Sequence, residues 1–142
     1  MKHALLILMT VLALFSAPAR AEILGSADKS AVVEVITQQL KAFAADDAQT
    51  AYSFAAPTVK GAFPSVDNFM AMVKQGYPPV YRNNGFDFGE SFSDGLGRPV
   101  QRVVIRGADG KVYEAIYAME KQPDGSWKIA GCQVLVVPGL NA

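Results

Sequence analysis

Apolar and polar positions change their spacing twice along the chain, and each change marks a new kind of element. The first apolar block, Ala4 to Phe15, is continuous apart from Thr10; it follows the basic Lys2 and leads to the small-residue triplet Ala19-Arg20-Ala21. A basic start, a short apolar run and a small-x-small triplet predict a secretory signal peptide over residues 1–21, cleaved after Ala21. The competing reading, a membrane anchor, needs about 20 apolar residues, more than this run supplies. Residues 22–29 then read as a short linker, and residues 30–142 as a single domain.

Within that domain the apolar positions first recur at helical spacing. Val32, Ile36, Leu40 and Phe43 follow Ser30, a good N-cap, and predict a helix from about Ser30 to Ala45. The adjacent carboxylates Asp46 and Asp47 read as punctuation rather than a catalytic pair. Asp46 is expected to cap a second helix, with Gln49 three residues on and Asp47 in the positive first turn. A side chain occupied with backbone donors is poorly placed as a base. Pro57 ends that helix. A third helix is predicted after Ser65, with Val66, Phe69, Met70 and Val73 on one face and Gly76 as its stop. Residues 77–82, with two prolines, are expected to be extended.

From residue 86 the spacing shortens to two. Phe86, Phe88 and Phe92 alternate as on a half-buried strand, and Glu90 shares their parity unless Gly89 bulges the strand and turns it out. From Val100 onward three strands are predicted, joined by Ala108-Asp109-Gly110 and Pro123-Asp124-Gly125, both suited to tight hairpin loops with glycine in the left-handed position. Pairing Gly107 with Lys111 sets Val103 opposite Ala115 and Ile105 opposite Tyr113. Pairing Gln122 with Ser126 sets Met119 opposite Ile129, Tyr117 opposite Gly131 and Ala115 opposite Gln133. Alternation then assigns Gln101, Val103, Ile105, Tyr113, Ala115, Tyr117, Met119, Trp127, Ile129, Gly131, Gln133 and Leu135 to the face that meets the helices. The other face collects Arg102, Arg106, Glu114, Glu120 and Lys128 around an apolar strip of Val104, Ile116, Ala118, Ala130, Val134 and Val136, with Cys132 beside Ile116. Helices followed by an antiparallel meander make an α+β domain, three N-terminal helices on a sheet of about four strands.

Composition narrows the chemistry. Removal of residues 1–21 from the 142 leaves 121, enough for one domain and too few for two. Lys2 and Arg20 leave with the leader, so 11 basic side chains face 13 acidic ones, a formal charge of −2 that offers no basic surface for nucleic acid. The single histidine, His3, lies in the leader. Imidazole bases, Ser-His and Cys-His nucleophile pairs and histidine metal sites are thereby excluded from the mature domain. One cysteine, Cys132, makes neither an internal disulfide nor a thiolate zinc site, and reads as a buried inert thiol on the outer face. No cofactor or metal is implied.

The order of elements, with a curved meander closing on GlySerTrpLysIleAlaGly, resembles the cystatin-like α+β cone of the nuclear transport factor two (SnoaL-like) superfamily. More narrowly, IleThrGlnGlnLeuLysAlaPheAlaAlaAspAsp, PheMetAlaMetValLysGlnGlyTyrProProValTyrArg and TrpLysIleAlaGlyCys resemble a secreted bacterial family known as domain of unknown function 4864. The resemblance implies the fold and leaves the function open, because the superfamily hosts isomerases, dehydratases, ligand binders and assembly modules.

The inner face of the last three strands has no carboxylate and no histidine, the groups that serve as bases in the enzymatic relatives. Glu90 is the one candidate for an inward acid, with Tyr117 as hydrogen-bond donor; burial would raise its pKa. The candidate ligand-binding residues are Gln101, Tyr117, Gln133 and Gly131, polar or small positions among apolar neighbours. The expected function is therefore an exported, periplasmic, non-catalytic domain that binds a small apolar or amphipathic molecule or acts as an assembly module. The alternative is a proton-transfer enzyme using Glu90. The apolar strip on the outer face suggests a homodimer.

Overall fold

The structure, a computed structural model, describes residues 24–140; the expected signal peptide lies outside the described residues. The helical part contains α1 (Ser26–Ala44), α2 (Ala48–Ser53), α3 (Pro57–Ala62), α4 (Val66–Gly76) and α5 (Pro78–Tyr81). It is followed by β1 (Asn83–Ser93), β2 (Pro99–Gly107), β3 (Val112–Lys121) and β4 (Trp127–Val136), an antiparallel sheet in the order β1-β2-β3-β4. The fold is α+β: helices first, then a curved, unclosed four-stranded meander. No helix among the described residues is long and apolar enough to cross a membrane.

The 3.6-residue stripe of α1 is the centre of the core. Val32, Ile36 and Leu40 are fully buried and Phe43 nearly so, facing Val103, Ile105, Ala115 and Tyr117 on the sheet. Truncating Ile36 to alanine at such a site costs about 2–5 kcal/mol. The helix starts at Ser26, four residues before the expected Ser30, with Asp28 in its positive first turn. Asp28 also accepts from Trp127 Nε1 and Lys121 Nζ, both at 3.2 Å, tying the helix start to the last hairpin.

Asp46 and Asp47 are indeed punctuation, but shifted by one residue. Asp46 has φ 55° and occupies the left-handed position just past α1, where its N–H donates to the Phe43 carbonyl and that of Asp47 to the Ala42 carbonyl. Asp47, not Asp46, caps α2, its Oδ1 accepting from Thr50 N at 3.2 Å. The freed Asp46 carboxylate accepts from the Tyr81 hydroxyl and pairs with Arg82 at 3.1 Å.

Ser65 caps α4 as expected, and Phe69, Met70 and Val73 are its buried face. Two short helices depart from the expected pattern. Both begin on proline, whose missing N–H is no loss in a first helical turn: Pro57 opens α3 and Pro78-Pro79 open α5, so residues 78–81 are helical rather than extended.

Both hairpins have the expected register, with Gly107 N to Lys111 O at 2.9 Å, Gln122 N to Ser126 O at 2.7 Å, and Gly110 and Gly125 at positive φ. Val103 faces Ala115, Ile105 faces Tyr113 and Met119 faces Ile129. Beyond Ile129 the expected register fails. Ala130 is an extra residue, so Ala118 pairs with Gly131, Tyr117 with Cys132, Ala115 with Val134 and Ile116 with Gln133. The bulge reverses the two faces of β4. Cys132 and Val134 turn to the helices, whereas Gln133 is exposed on the outer face. A second bulge, Gly89 and Glu90 opposite Arg102, does the same to β1: Phe92 pairs with Val100 on the outer side and Glu90 is exposed. The outer apolar strip therefore loses Val134 and Val136, which change sides, and Ala130, the inserted residue, and consists of Val104, Ile116 and Ala118, with exposed Phe92 and Leu135 nearby and Arg102 bridged to Glu114 at 3.1 Å.

Candidate functional site

The helices do not close over the whole inner face. A pocket of about 420 Å³ remains between α3, α4 and the bulged part of β4. Its formation follows from the chain between α2 and α3. Ala56 N donates to Ile129 O and Ile129 N to Phe54 O, both at 2.8 Å, so residues 54–56 add one parallel bridge to β4 immediately before the bulge. Pro57 then opens α3 beside β4, with Val59 and Phe63 along the pocket wall and the exposed Thr58 and Ala62 at its mouth. The Tyr52 hydroxyl donates to Phe63 O at 2.7 Å and fixes the end of α3. Opposite, α4 supplies Phe69, Met72 and Val73, and Phe43 stacks on Phe69 with ring centres 6.1 Å apart.

The polar groups in this apolar wall are few. Gln39 is buried and its Nε2 donates to Ala51 O at 3.1 Å. Tyr77 donates to Cys132 O at 2.9 Å, and burial raises its pKa. Tyr117 is 1 % exposed, and its buried hydroxyl meets no partner other than the weakly accepting Cys132 thiol. Burial, with the Cys132 thiol beside it, pushes the phenol well above its ordinary value. The half-buried Cys132 is likewise pushed up to about 12 by burial, so the thiol is protonated and inert at neutral pH. No Asp, Glu, Lys or Arg lines the pocket.

The structure brings together two of the four candidate ligand residues. Tyr117 and Gly131 both line the pocket, although a Cβ at Gly131 would point toward Ala118 Cβ, 3.9 Å away on the outer face. Gln101 faces inward but has another task. Its Nε2 donates to Gly89 O and Arg102 O, both at 2.9 Å, stitching the β1 bulge from beneath. Gln133 is turned out by the β4 bulge, and Cys132, expected outside, takes the inward position beside Tyr117. Glu90 is exposed, away from the pocket. Sequence reasoning missed Cys132, Tyr77 and the whole of α3; Gly131 inside a strand was the available signal of a bulge.

A second depression of about 640 Å³ lies between α5, the β2–β3 loop and the end of β4. Its charges are already engaged: Arg82 with Asp46, and Asp109 with the Tyr113 hydroxyl at 2.5 Å and Lys111 N at 2.9 Å. Among the described residues no group of three side chains could hold a metal ion.

Comparison with known proteins adds one result. A family model described as "Domain of unknown function (DUF4864)" matches residues 25–142. The chain belongs to the DUF4864 family. No curated protein and no solved structure matches it. The pocket of this DUF4864 domain therefore has to be interpreted from its own geometry. That geometry offers a largely apolar enclosure with one buried donor, Tyr117, short of a strong acceptor, and neither a carboxylate nor an imidazole in the wall for proton transfer.

Proposed function

We propose that this DUF4864 domain is exported and binds a small apolar or amphipathic molecule in the pocket between α3, α4 and β4, without transforming it. The observation that carries the reading is the Tyr117 hydroxyl, a buried donor with only the weakly accepting Cys132 thiol beside it, in a residue of the largely apolar pocket wall. Buried polar groups are nearly always satisfied, and an orphan in a cavity wall is complemented when a ligand brings the acceptor. The volume, about 420 Å³, falls in the range of roughly 300–1,000 Å³ typical of small-molecule sites. The competing proton-transfer reading needs an inward acid, and Glu90, its one candidate, is exposed.

Export rests on the leader, and the family match begins at residue 25, just past the expected cleavage point. Intact mass of the protein from its own compartment should give a chain beginning at Glu22; an uncleaved, membrane-retained product would refute export. The element order supports reading the domain as nuclear transport factor two-like, and the outer apolar strip supports self-association. Binding is tested with the neutral fluorophore N-phenyl-1-naphthylamine. It should bind the wild type, and Ala62→Trp at the mouth should weaken it by about 10-fold or more, the scale of a lost well-packed contact, with unchanged circular dichroism. Absence of binding, or binding indifferent to Ala62→Trp, would refute the reading.

A further inference from the structure

Resting on the binding reading above, we infer that the pocket takes an electrically neutral ligand with one hydrogen-bond acceptor, such as a ketone or ester oxygen on an apolar body, and rejects carboxylates and ammonium ions of equal length. Two independent observations carry this. The first is the absence of any ionisable partner: no Asp, Glu, Lys or Arg lines the pocket. A charged head group drawn into that wall would lose its water without meeting an opposite charge, which is the costly way to bury an ion.

The second is a polar row across the sheet. Ser91, Gln101, Tyr117 and Cys132 are direct cross-strand neighbours, one from each strand, on the helix-facing side. Three of their polar atoms, Ser91 Oγ, Gln101 Oε1 and the Tyr117 hydroxyl, are buried without a partner. Of these three residues only Tyr117 is in the pocket wall, and the neighbouring thiol is too weak an acceptor to satisfy it. The other strong donors in the wall are already used, Gln39 Nε2 on Ala51 O and the Tyr77 hydroxyl on Cys132 O, apart from Thr58 at the exposed mouth. One free O–H at depth therefore selects one acceptor. Because burial raises the phenol pKa, the hydroxyl keeps its proton throughout the physiological range.

The test is displacement of N-phenyl-1-naphthylamine from the exported protein at pH 8 by 2-undecanone, undecanoate and undecylammonium. The ketone should displace the reporter at a concentration at least 10-fold below that needed for either ion. Tyr117→Phe should weaken the ketone by about 5- to 30-fold relative to the reporter, the scale of one buried hydrogen bond, while thermal unfolding shows the variant folded. A purely packing role for Tyr117 would not change that ratio. The inference is overturned if undecanoate or undecylammonium competes as well as the ketone, a comparison that needs only the wild type. It is also overturned if the folded Tyr117→Phe variant retains the ketone's full advantage. If the reporter itself does not bind, the binding reading fails and takes this inference with it.

Discussion

Replacing Gln101 by leucine should destabilise the domain by an amount that can be worked out from its contacts. The side chain is fully buried, and its amide donates to the carbonyls of Gly89 and Arg102 at 2.9 Å each, on either side of the point where the β1–β2 ladder skips a residue. Gln101→Leu conserves volume and removes both bonds, about 1 kcal/mol each in net terms, and more if a carbonyl is left with no partner. It also removes Oε1, which has no partner, and that returns about 1 kcal/mol. The expected net loss is about 1–2 kcal/mol, read as a lower urea midpoint with an unchanged slope. Gln101→Glu sharpens the test because it puts a carboxyl where two carbonyls need donors. Burial and those carbonyls raise the folded-state pKa above the unfolded value of about 4.3. The penalty is then absent below about pH 4.3, grows as pH rises toward the folded pKa, and levels off above it, reaching about 1.4 kcal/mol for each tenfold loss of acidity that folding imposes on the carboxyl. Wild-type stability for Gln101→Leu, together with pH-independent stability for Gln101→Glu, would refute the assignment of Gln101 to the bulge.

Three further outcomes are expected. Asp28 is held below the ordinary carboxylate range by hydrogen bonds from Trp127 and Lys121, so its contribution is present above about pH 4 and is lost as pH falls through the depressed value; the fluorescence of Trp127, the sole tryptophan, should change in that acid window and Asp28→Asn should abolish the change. With its thiol pushed up to about 12, Cys132 should react with a disulfide reagent at pH 8 more slowly in the native than in the urea-unfolded protein, by about 30-fold or more, since the greater nucleophilicity of a more basic thiolate offsets part of its scarcity, and near-equal rates would contradict its burial. If the domain self-associates through its outer face, sedimentation of the wild type should show a dimer that Ile116→Glu converts to a folded monomer; Val134→Glu, on the helix side of the bulge, should instead lower stability.

Much of this architecture was legible because α1, α4 and the two hairpins each carry a complete local signal. Val32, Ile36, Leu40 and Phe43 define one face without reference to anything distant, and Gly110 and Gly125 fit their loops for steric reasons alone. The pocket was only half legible. Strict alternation held from Trp127 to Ile129, then one inserted residue exchanged Gln133 for Val134 and Gly131 for Cys132. A counter-signal was present: Cys132, Val134 and Val136 alternate with Gln133 in the phase that buries the apolar set, and Gly131 marks the step. The one-residue error at Asp46 has a different origin. Both aspartates can cap, and the choice is made by the left-handed backbone at Asp46, held in place by Tyr81 and Arg82 from 35 and 36 residues further along the chain. Pro57 and the Pro78-Pro79 pair suggest a helix stop and an extended stretch, although each opens a helix here.

The bulges, one in β4 and two in β1, where Asn84 and Gly85 form the other, lie on the two outermost strands of an unclosed sheet, and that position has a consequence for solubility. A flat outer strand is a template on which a second chain can add and aggregation can spread. In β4 the ladder groups of Ile129 are already taken by residues 54–56, the carbonyl of Cys132 by Tyr77, and the inserted Ala130 breaks the spacing between them. In β1 the step at Gly89 and Glu90 interrupts the other rim. An incoming strand with regular spacing could match either rim for only a few residues before falling out of step. Deleting Ala130 would therefore do more than restore simple alternation: it would straighten the rim, and the first symptom should be fibrillar or amorphous self-addition at high concentration rather than loss of secondary structure.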